Sequence, residues 1–347
     1  MAFIDIVLEP PSYGWQDEQG KLIVPTKRQI LAESFRRMNI FKSKKNWLSF
    51  TGWFWVLCLV PFFFGFFFFF FSWPLLLCGF LYGMVIMGTH GTIWYHRYCT
   101  HKAYTFRNSF WRFITKYLVI KVVPEEIYVV SHHVHHSKSD KPGDPYNANA
   151  GFLYCFLADT NHQPIARNLS EPMYDRAVHL MDDTGTHCNT YAEYQKWGSI
   201  VHPIRSFLIW ILNWSFWYGI FFLVGGHAFA FALFAGAAVW AVGVRTFNYE
   251  GHGKGKDKRK DGVDYNREDM SINQAWPGYV AGEWHNNHHM FPASARSGFL
   301  WHQLDLAWCY IYLLHKLGGV SKYHDAKKLF QAKVHAPVQK MKSVNRA

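Results

Sequence analysis

Twenty histidines fall in 347 residues, and most of the interesting ones are clustered. His96 and His101 bracket "HRYCTH", His132, His133, His135 and His136 make up "HHVHH", and His285, His288 and His289 lie in "WHNNHHMFP". A fourth element, "FNYEGH", sets Asn248 and His252 four apart. Neutral imidazole is a good ligand for iron, zinc and copper. Helical residues three and four apart share a face. The pattern His-x-x-His-His therefore aims three rings at one point, from His132, His135 and His136 and again from His285, His288 and His289. A separation of five turns His101 about 140° away from His96 on an ideal α-helix, so the helix is expected to end or unwind between them. Nine histidines exceed the needs of one ion and fit two metals with four or five ligands each, where a structural zinc site needs only four. His133 falls off the face shared by its neighbours. His90 lies inside an apolar stretch, where hydrogen bonding or lining a cavity is expected of it rather than ligation. Glu250, Glu283, Asp140 and Asp144 are candidates to orient the imidazoles from behind.

The elements that position these residues are written in the charge pattern. Half of the residues are hydrophobic and 19% are aromatic, which excludes a disordered chain. Residues 47–95 and 206–244 contain no Asp, Glu, Lys or Arg. A helix needs about 20 apolar residues to cross a hydrocarbon core of roughly 30 Å, so each block holds two crossings. The first divides at Ser72-Trp73-Pro74 and the second near Gly225-Gly226. The fold class expected is an all-α integral membrane protein with four transmembrane helices in two hairpins, and a helical cytosolic cap holding a dinuclear metal site.

The whole chain, 1–347, reads as a single domain. It comprises an N-terminal interfacial segment (1–46), a first hairpin (47–95), a cap segment with the first two histidine clusters (96–205), a second hairpin (206–249) and a C-terminal cap segment with the third cluster and a basic tail (250–347). The middle segment, including "FWRFITKYLVIKVV", is too broken for further spans and is expected to form interfacial and cytosolic helices; Leu300 to Leu317 reads as one helix. The connecting turns carry no Lys or Arg, so the positive-inside rule places both termini and the middle segment in the cytoplasm. Spans two and four then end on the same side as all the histidine clusters. The net charge of +12 follows from this topology, and the basic run Lys254, Lys256, Lys258, Arg259 and Lys260 suits lipid headgroups, with docking of an acidic protein or a phosphorylated substrate as the alternative; no nucleic-acid partner is expected. The N-terminus has acids and no basic leader, so the first span is expected to serve as the insertion signal. Six scattered cysteines are expected to be free thiols.

In order, "HRYCTH", "HHVHH", "DPYNANAGF", "FNYEGH" and "WHNNHHMFP", with two hairpins between, resemble the membrane-bound fatty acid desaturases of the stearoyl-CoA desaturase type, over about residues 90–300. "EWHNNHHMFPASAR" is most similar to the bacterial branch. The resemblance implies two iron ions held by His96, His101, His132, His135, His136, His252, His285, His288 and His289, with Asn248 reaching a metal through water. It also implies a fatty acyl substrate, consumption of O2, and electrons from a separate carrier. No heme module or iron–sulfur cysteine set is evident within the chain, so a b-type cytochrome, ferredoxin or rubredoxin system is expected to supply them. A saturated methylene has no acidic proton and no electrophile, so a redox metal must carry the hard step. In this sequence the fourth element carries Glu250 where close relatives have small or apolar residues.

The same ligands suit two other outcomes on this scaffold, hydroxylation of an acyl chain or oxidative decarboxylation of a free fatty acid to a terminal alkene. Ligand identity does not separate them. A metal carrier, the remaining alternative, calls for ligands near the bilayer midplane. The spans hold little of that kind, with His90 and His227 near their ends.

Overall fold

The computed structural model describes residues 2–252, 284–337 and 340. The basic run from Lys254 to Lys260 and Glu283 lie outside the described residues. Three helical segments are long and apolar enough to cross a membrane: Lys44–Phe70, Trp73–Thr100 and Pro203–Gly251. The first two meet at Ser72, whose Oγ accepts the Leu75 N–H at 3.4 Å, with Pro74 in the following first turn. Both features start a helix, because the hydroxyl satisfies an orphaned N–H and proline lacks only a donor that has no partner there. The third segment breaks at Gly225 and Gly226, the latter at φ +69°. Glycine adopts that left-handed conformation without a steric penalty. The chain folds back at this point: the rings of Trp214 and Phe234 lie 5.7 Å apart, whereas 20 residues of straight helix would separate them by about 30 Å. The third segment is thus itself a hairpin, divided where the sequence suggests.

Aromatic rings fill the bundle, with Trp55 stacked on Trp210 at 5.1 Å and Phe62 at 4.6 Å from Phe234. Glycines allow close backbone approach between the helices. A Cβ on Gly83 would lie 2.2 Å from Gly236 O, and one on Gly236 would lie 2.0 Å from Gly79 O. Gly79 and Gly83, four apart, present one face to the returning arm of the hairpin. Small residues at such contacts let backbones touch where lipid supplies no hydrophobic drive for helices to associate.

Residues 117–123 depart from the expectation of an interfacial helix. They run as non-helical chain into the bundle, and Val119, Ile120 and Val122 are buried in its core. Polar side chains of the apolar helices take up their backbone groups. Tyr82 Oη accepts the Ile120 N–H at 3.0 Å and Asn213 Oδ1 accepts the Lys121 N–H at 2.8 Å. Trp214 Nε1 donates to Lys121 O at 2.8 Å, and Trp217 Nε1 donates to Tyr117 O at 3.0 Å. Non-helical backbone is tolerated at such depth only when protein groups satisfy it. His90 Nε2, 2.8 Å from Thr115 O, serves in hydrogen bonding as expected.

The remaining described residues form mostly short helices. Lys27–Met38 begins with a capping box between Thr26 and Gln29, and its buried Arg37 bonds Glu33 at 2.8 Å and Glu9 at 2.7 Å. The helix expected from Leu300 starts later, at Leu306, because Asp305 accepts the Trp308 N–H at 2.8 Å and caps it there. Strands Tyr104–Phe106 and Val320–Tyr323 pair antiparallel, so a small sheet joins the helical architecture and fastens the C-terminal part to the chain just after His101.

Gly236→Ala is expected to lower the thermal unfolding midpoint in detergent, since overpacking at a rigid contact costs about 1–3 kcal/mol. Gly219→Ala, where an added Cβ meets nothing within 4 Å, should leave the midpoint unchanged in the same melting experiment.

Candidate metal centre

Four separate pieces of chain bring their histidines together. His96 lies in Thr92–Thr100, which is wound as a π-helix, and His101 is its C-cap. The helix ends between them, at Thr100, as expected, and its last turns are widened to the π form. The His101 N–H donates to His96 O at 3.1 Å, five residues back. That wider winding offsets the turn of about 140° that an ideal α-helix would put between the two rings, because an i→i+5 ladder stacks residues five apart where an α-helix would splay them. The two rings have centroids 5.0 Å apart. π winding is rare and frequently accompanies functional sites.

His132, His135 and His136 lie on the helix Glu125–Lys138, His285, His288 and His289 on the short helix His285–Met290, and His252 caps the helical turn Phe247–Gly251. Ligand atoms of the nine form two groups, each within 4.8 Å: His96, His101, His132, His136 and His288 in one, and His135, His252, His285 and His289 in the other. The expectation that each His-x-x-His-His pattern aims three rings at one point is corrected here. His132 and His136, four apart, face one group while His135 turns to its neighbour; likewise His285 and His289 part from His288. Each helix therefore contributes to both groups. His133 belongs to neither.

Within the first group His288 Nε2 lies 2.8 Å from His96 Nε2 and 3.1 Å from His136 Nε2, itself 3.1 Å from His132 Nε2. In the second, His285 Nε2 is 2.9 Å from His252 Nε2 and 3.1 Å from His289 Nε2. Burial, reinforced by the neighbouring imidazoles, pushes His101, His132, His136, His285 and His288 well below the ordinary histidine range. These rings are accordingly neutral near pH 7 and offer lone pairs.

Two carboxylates fix which nitrogen does so. His135 Nδ1 donates to Asp144 Oδ1 at 2.9 Å, and His252 Nδ1 donates to Asp140 Oδ2 at 2.9 Å. Asp144 is itself held by the backbone N–H groups of Asp140 and Tyr146, both at 2.8 Å. With Nδ1 protonated, Nε2 carries only a lone pair. Facing lone pairs cannot satisfy one another, and the Nε2 atoms of His101 and His135 are buried without a hydrogen-bond partner. A cation in each group would resolve both problems, so the donor set fits two metal ions of the kind imidazole prefers.

An interaction that the sequence reading did not single out keeps the third cluster in place. Arg97 is fully buried, donates to Ala295 O and Ser297 Oγ at 2.7 Å, and pairs with Asp305 at 3.0 Å. Asn287, between the histidines, donates to Ser297 O at 2.7 Å and to Gln303 Oε1 at 2.9 Å. The signal for Arg97 was its place inside "HRYCTH", one residue from a histidine and on a different face.

His96 and His132 also line an apolar cavity of about 150 Å³ that continues along the second apolar helix past Thr92 and Gly88 to Met84. Asn248 lines the same cavity. A nitrogen-rich metal site opening onto an apolar channel between helices agrees with the sequence comparison, in which the family model described as fatty acid desaturase matches residues 71–314. The chain belongs to the fatty acid desaturase family. The desaturase is 26% identical over 269 residues to the sn-1 stearoyl-lipid 9-desaturase of Anabaena variabilis, covering 74% of this chain and 86% of that protein. It is 29% identical over 280 residues to the acyl-CoA C20 Delta5-desaturase of Anemone leveillei, with 78% of each covered. Its identity to the hex-5-enoyl-[acyl-carrier protein] acetylenase of Moorena producens is 29% over 278 residues, 72% of this chain and 80% of that one. Membership of this family and the three long apolar helices make the desaturase a membrane protein.

Asp144→Asn in the desaturase should weaken metal binding about 10–100-fold, as loss of a carboxylate behind a ligating histidine does elsewhere. Titration of metal-stripped protein with iron in the absence of oxygen reads this directly. Unchanged affinity would mean that Asp144 does not control the His135 ring.

Proposed function

We propose that the protein inserts a double bond into a saturated fatty acyl chain at two irons, one in each histidine group. The observation that carries this reading is that His96 and His132 belong at once to a histidine group and to the wall of the apolar cavity. A chain lying in that cavity has its methylenes beside the metal-binding nitrogens. Fatty acyl desaturation is the activity of the family, and the names of the relatives support it.

In this reading His96, His101, His132, His136 and His288 hold one iron, and His135, His252, His285 and His289 hold the other. Asn248 reaches a metal through water. When bound, the irons supply oxidation: with O2, two electrons and two protons, two hydrogens leave adjacent methylenes and a carbon–carbon double bond and two waters result. Electrons come from a separate b-type cytochrome, ferredoxin or rubredoxin system.

The chain's own residues supply position. Asp144 and Asp140 hold the Nδ1 protons of His135 and His252, which keeps each Nε2 lone pair turned inward. The cavity wall holds the substrate through apolar contact worth about 0.8 kcal/mol per buried methylene, and keeps bulk water from the reacting carbons.

The single domain, 1–347, is read as crossing the bilayer four times, with the histidines in a cap on the cytoplasmic side together with both termini. The fold-back at Gly225 and Gly226 and the distribution of basic residues support this.

Mass spectrometry of lipids from cells expressing the protein and fed saturated acids is expected to show products lighter by two hydrogens. His288→Ala should abolish them while leaving membrane insertion intact. A hydroxylated product, or a terminal alkene with one carbon lost, would replace the desaturase outcome with one of its rivals. Cys309, exposed on the helix Leu306–Lys316, should react with a membrane-impermeant maleimide only after the cytoplasmic face is opened. Labelling of intact cells would reverse the proposed sidedness.

A further inference from the structure

Among the described residues that line the cavity, Arg245 is the only Lys or Arg and Asp159 the only acid. Arg245 stands in the 3-10 turn Val244–Thr246, about one turn ahead of Asn248. Asp159 lies on the short helix Ala158–Asn161. Arg245 Nη1 donates to Asp159 Oδ1 at 2.7 Å, and Nη2 donates to Gly52 O at 3.3 Å. The guanidinium carbon is 4.1 Å from the centre of the Trp53 ring, and Trp53 Nε1 donates to the same Asp159 oxygen at 3.3 Å. Gly52 leaves room for the carboxylate, since a Cβ there would lie 3.2 Å from Asp159 Oδ2. Both charged side chains are only 13% exposed. Such a pair is out of place in a wall suited to methylenes, because desolvating two ions offsets most of their attraction.

Arg245 Nε gives the pair a use. It is buried and has no hydrogen-bond partner, while Nη1 and Nη2 are both engaged. A buried donor of this kind is stabilised by an acceptor that enters the cavity. An acyl chain offers an acceptor at one place only, the carbonyl group at its head. The two chemical forms of that head meet the pair differently. An ester or thioester carbonyl is neutral, so it can take the Nε hydrogen and leave the bond between Arg245 and Asp159 as it is. A free carboxylate would bring a third charge into a buried place, where the repulsion of Asp159 offsets the attraction of Arg245. It would give up its hydration without a matching gain.

We propose that Arg245 binds the carbonyl oxygen of an esterified acyl chain through Nε, and that Asp159, by neutralising Arg245, turns the cavity against free fatty acids. The proposal rests on the reading of the cavity as the acyl site and names a substrate class for it. Arg245 is the residue that touches the substrate, and Asp159 acts through it.

The test uses detergent-purified full-length protein and four probes that share one saturated chain: stearic acid, methyl stearate, stearoyl-CoA and monostearoylglycerol. Retention is read by native mass spectrometry, with turnover of each probe measured alongside. Methyl ester against free acid tests the carbonyl, and the other two arms tell a thioester source from a lipid one. Comparing each variant with the wild type cancels the uneven partition of the probes into detergent. Asp159→Asn leaves Arg245 as an uncompensated cation, and is expected to lower the ester-to-acid ratio about tenfold or more by strengthening retention of stearic acid. Arg245→Lys keeps a cation for Asp159 but has no Nε donor. It should lower the same ratio about tenfold by weakening retention of the ester, with iron content at the wild-type level. A ratio unchanged in Asp159→Asn overturns the role of Asp159, and a ratio unchanged in Arg245→Lys overturns the carbonyl contact. Equal loss of acid and ester in either variant is the behaviour of a merely structural ion pair and overturns the proposal, and each variant remains decisive where the other fails to fold. Retention does not depend on turnover, so a protein that shows both shifts but yields no unsaturated product from any probe would refute the proposed reaction and leave this inference standing.

Discussion

Neutral nitrogen donors gathered in a place without water are the constraint around which this protein is organised. Imidazole nitrogens of His96, His288, His136 and His132 lie 2.8–3.1 Å from one another. The arrangement is imposed by the rest of the chain and could hold a cation in each group. Proton placement is part of that imposition, since Asp144 and Asp140 hold the two Nδ1–H groups and leave Nε2 to face the centre. Burial does the remainder by disfavouring imidazolium, so that the donors stay available at neutral pH.

Imposing the arrangement requires rigid joints between distant parts of the sequence. The Arg97–Asp305 pair is such a joint, tying the segment that bears His96 to the loop that follows His289. An ion pair so fully buried has little surplus energy once desolvation is counted, and its value here is geometric. Asp305 also caps the next helix and accepts the Ser297 and Gly298 N–H groups at 2.8 and 3.0 Å, so one carboxylate sets the register of the whole turn. The glycine contacts of Gly79, Gly83 and Gly236 do comparable work inside the bundle, holding backbones at a separation that any side chain would widen.

Much of this was legible in the residues. Uncharged blocks located the apolar helices, Ser72 and Pro74 marked one turn and Gly225 with Gly226 the other, and the nine histidines singled out in the sequence are the ones that gather into the two groups. What escaped were features that depend on partners remote in sequence. Residues 117–123 read as a broken apolar run because their backbone bonds go to Tyr82, Asn213, Trp214 and Trp217, which no local pattern reveals. The sorting of His135 away from His132 and His136 is likewise decided by what lies across the gap rather than by spacing along the helix. The pairing of Tyr104–Phe106 with Val320–Tyr323 joins strands too short, and too far apart, to signal one another.

The π-wound stretch Thr92–Thr100 has a consequence for how its sequence tolerates change. Here the bearing of His101 depends on the number of residues in the loop of chain that its N–H closes onto His96 O. Removing any one of the intervening positions would swing the ring away even if both histidines were kept, whereas replacing one would not. This part of the centre is guarded by chain length, and a survey of point substitutions would pass over it.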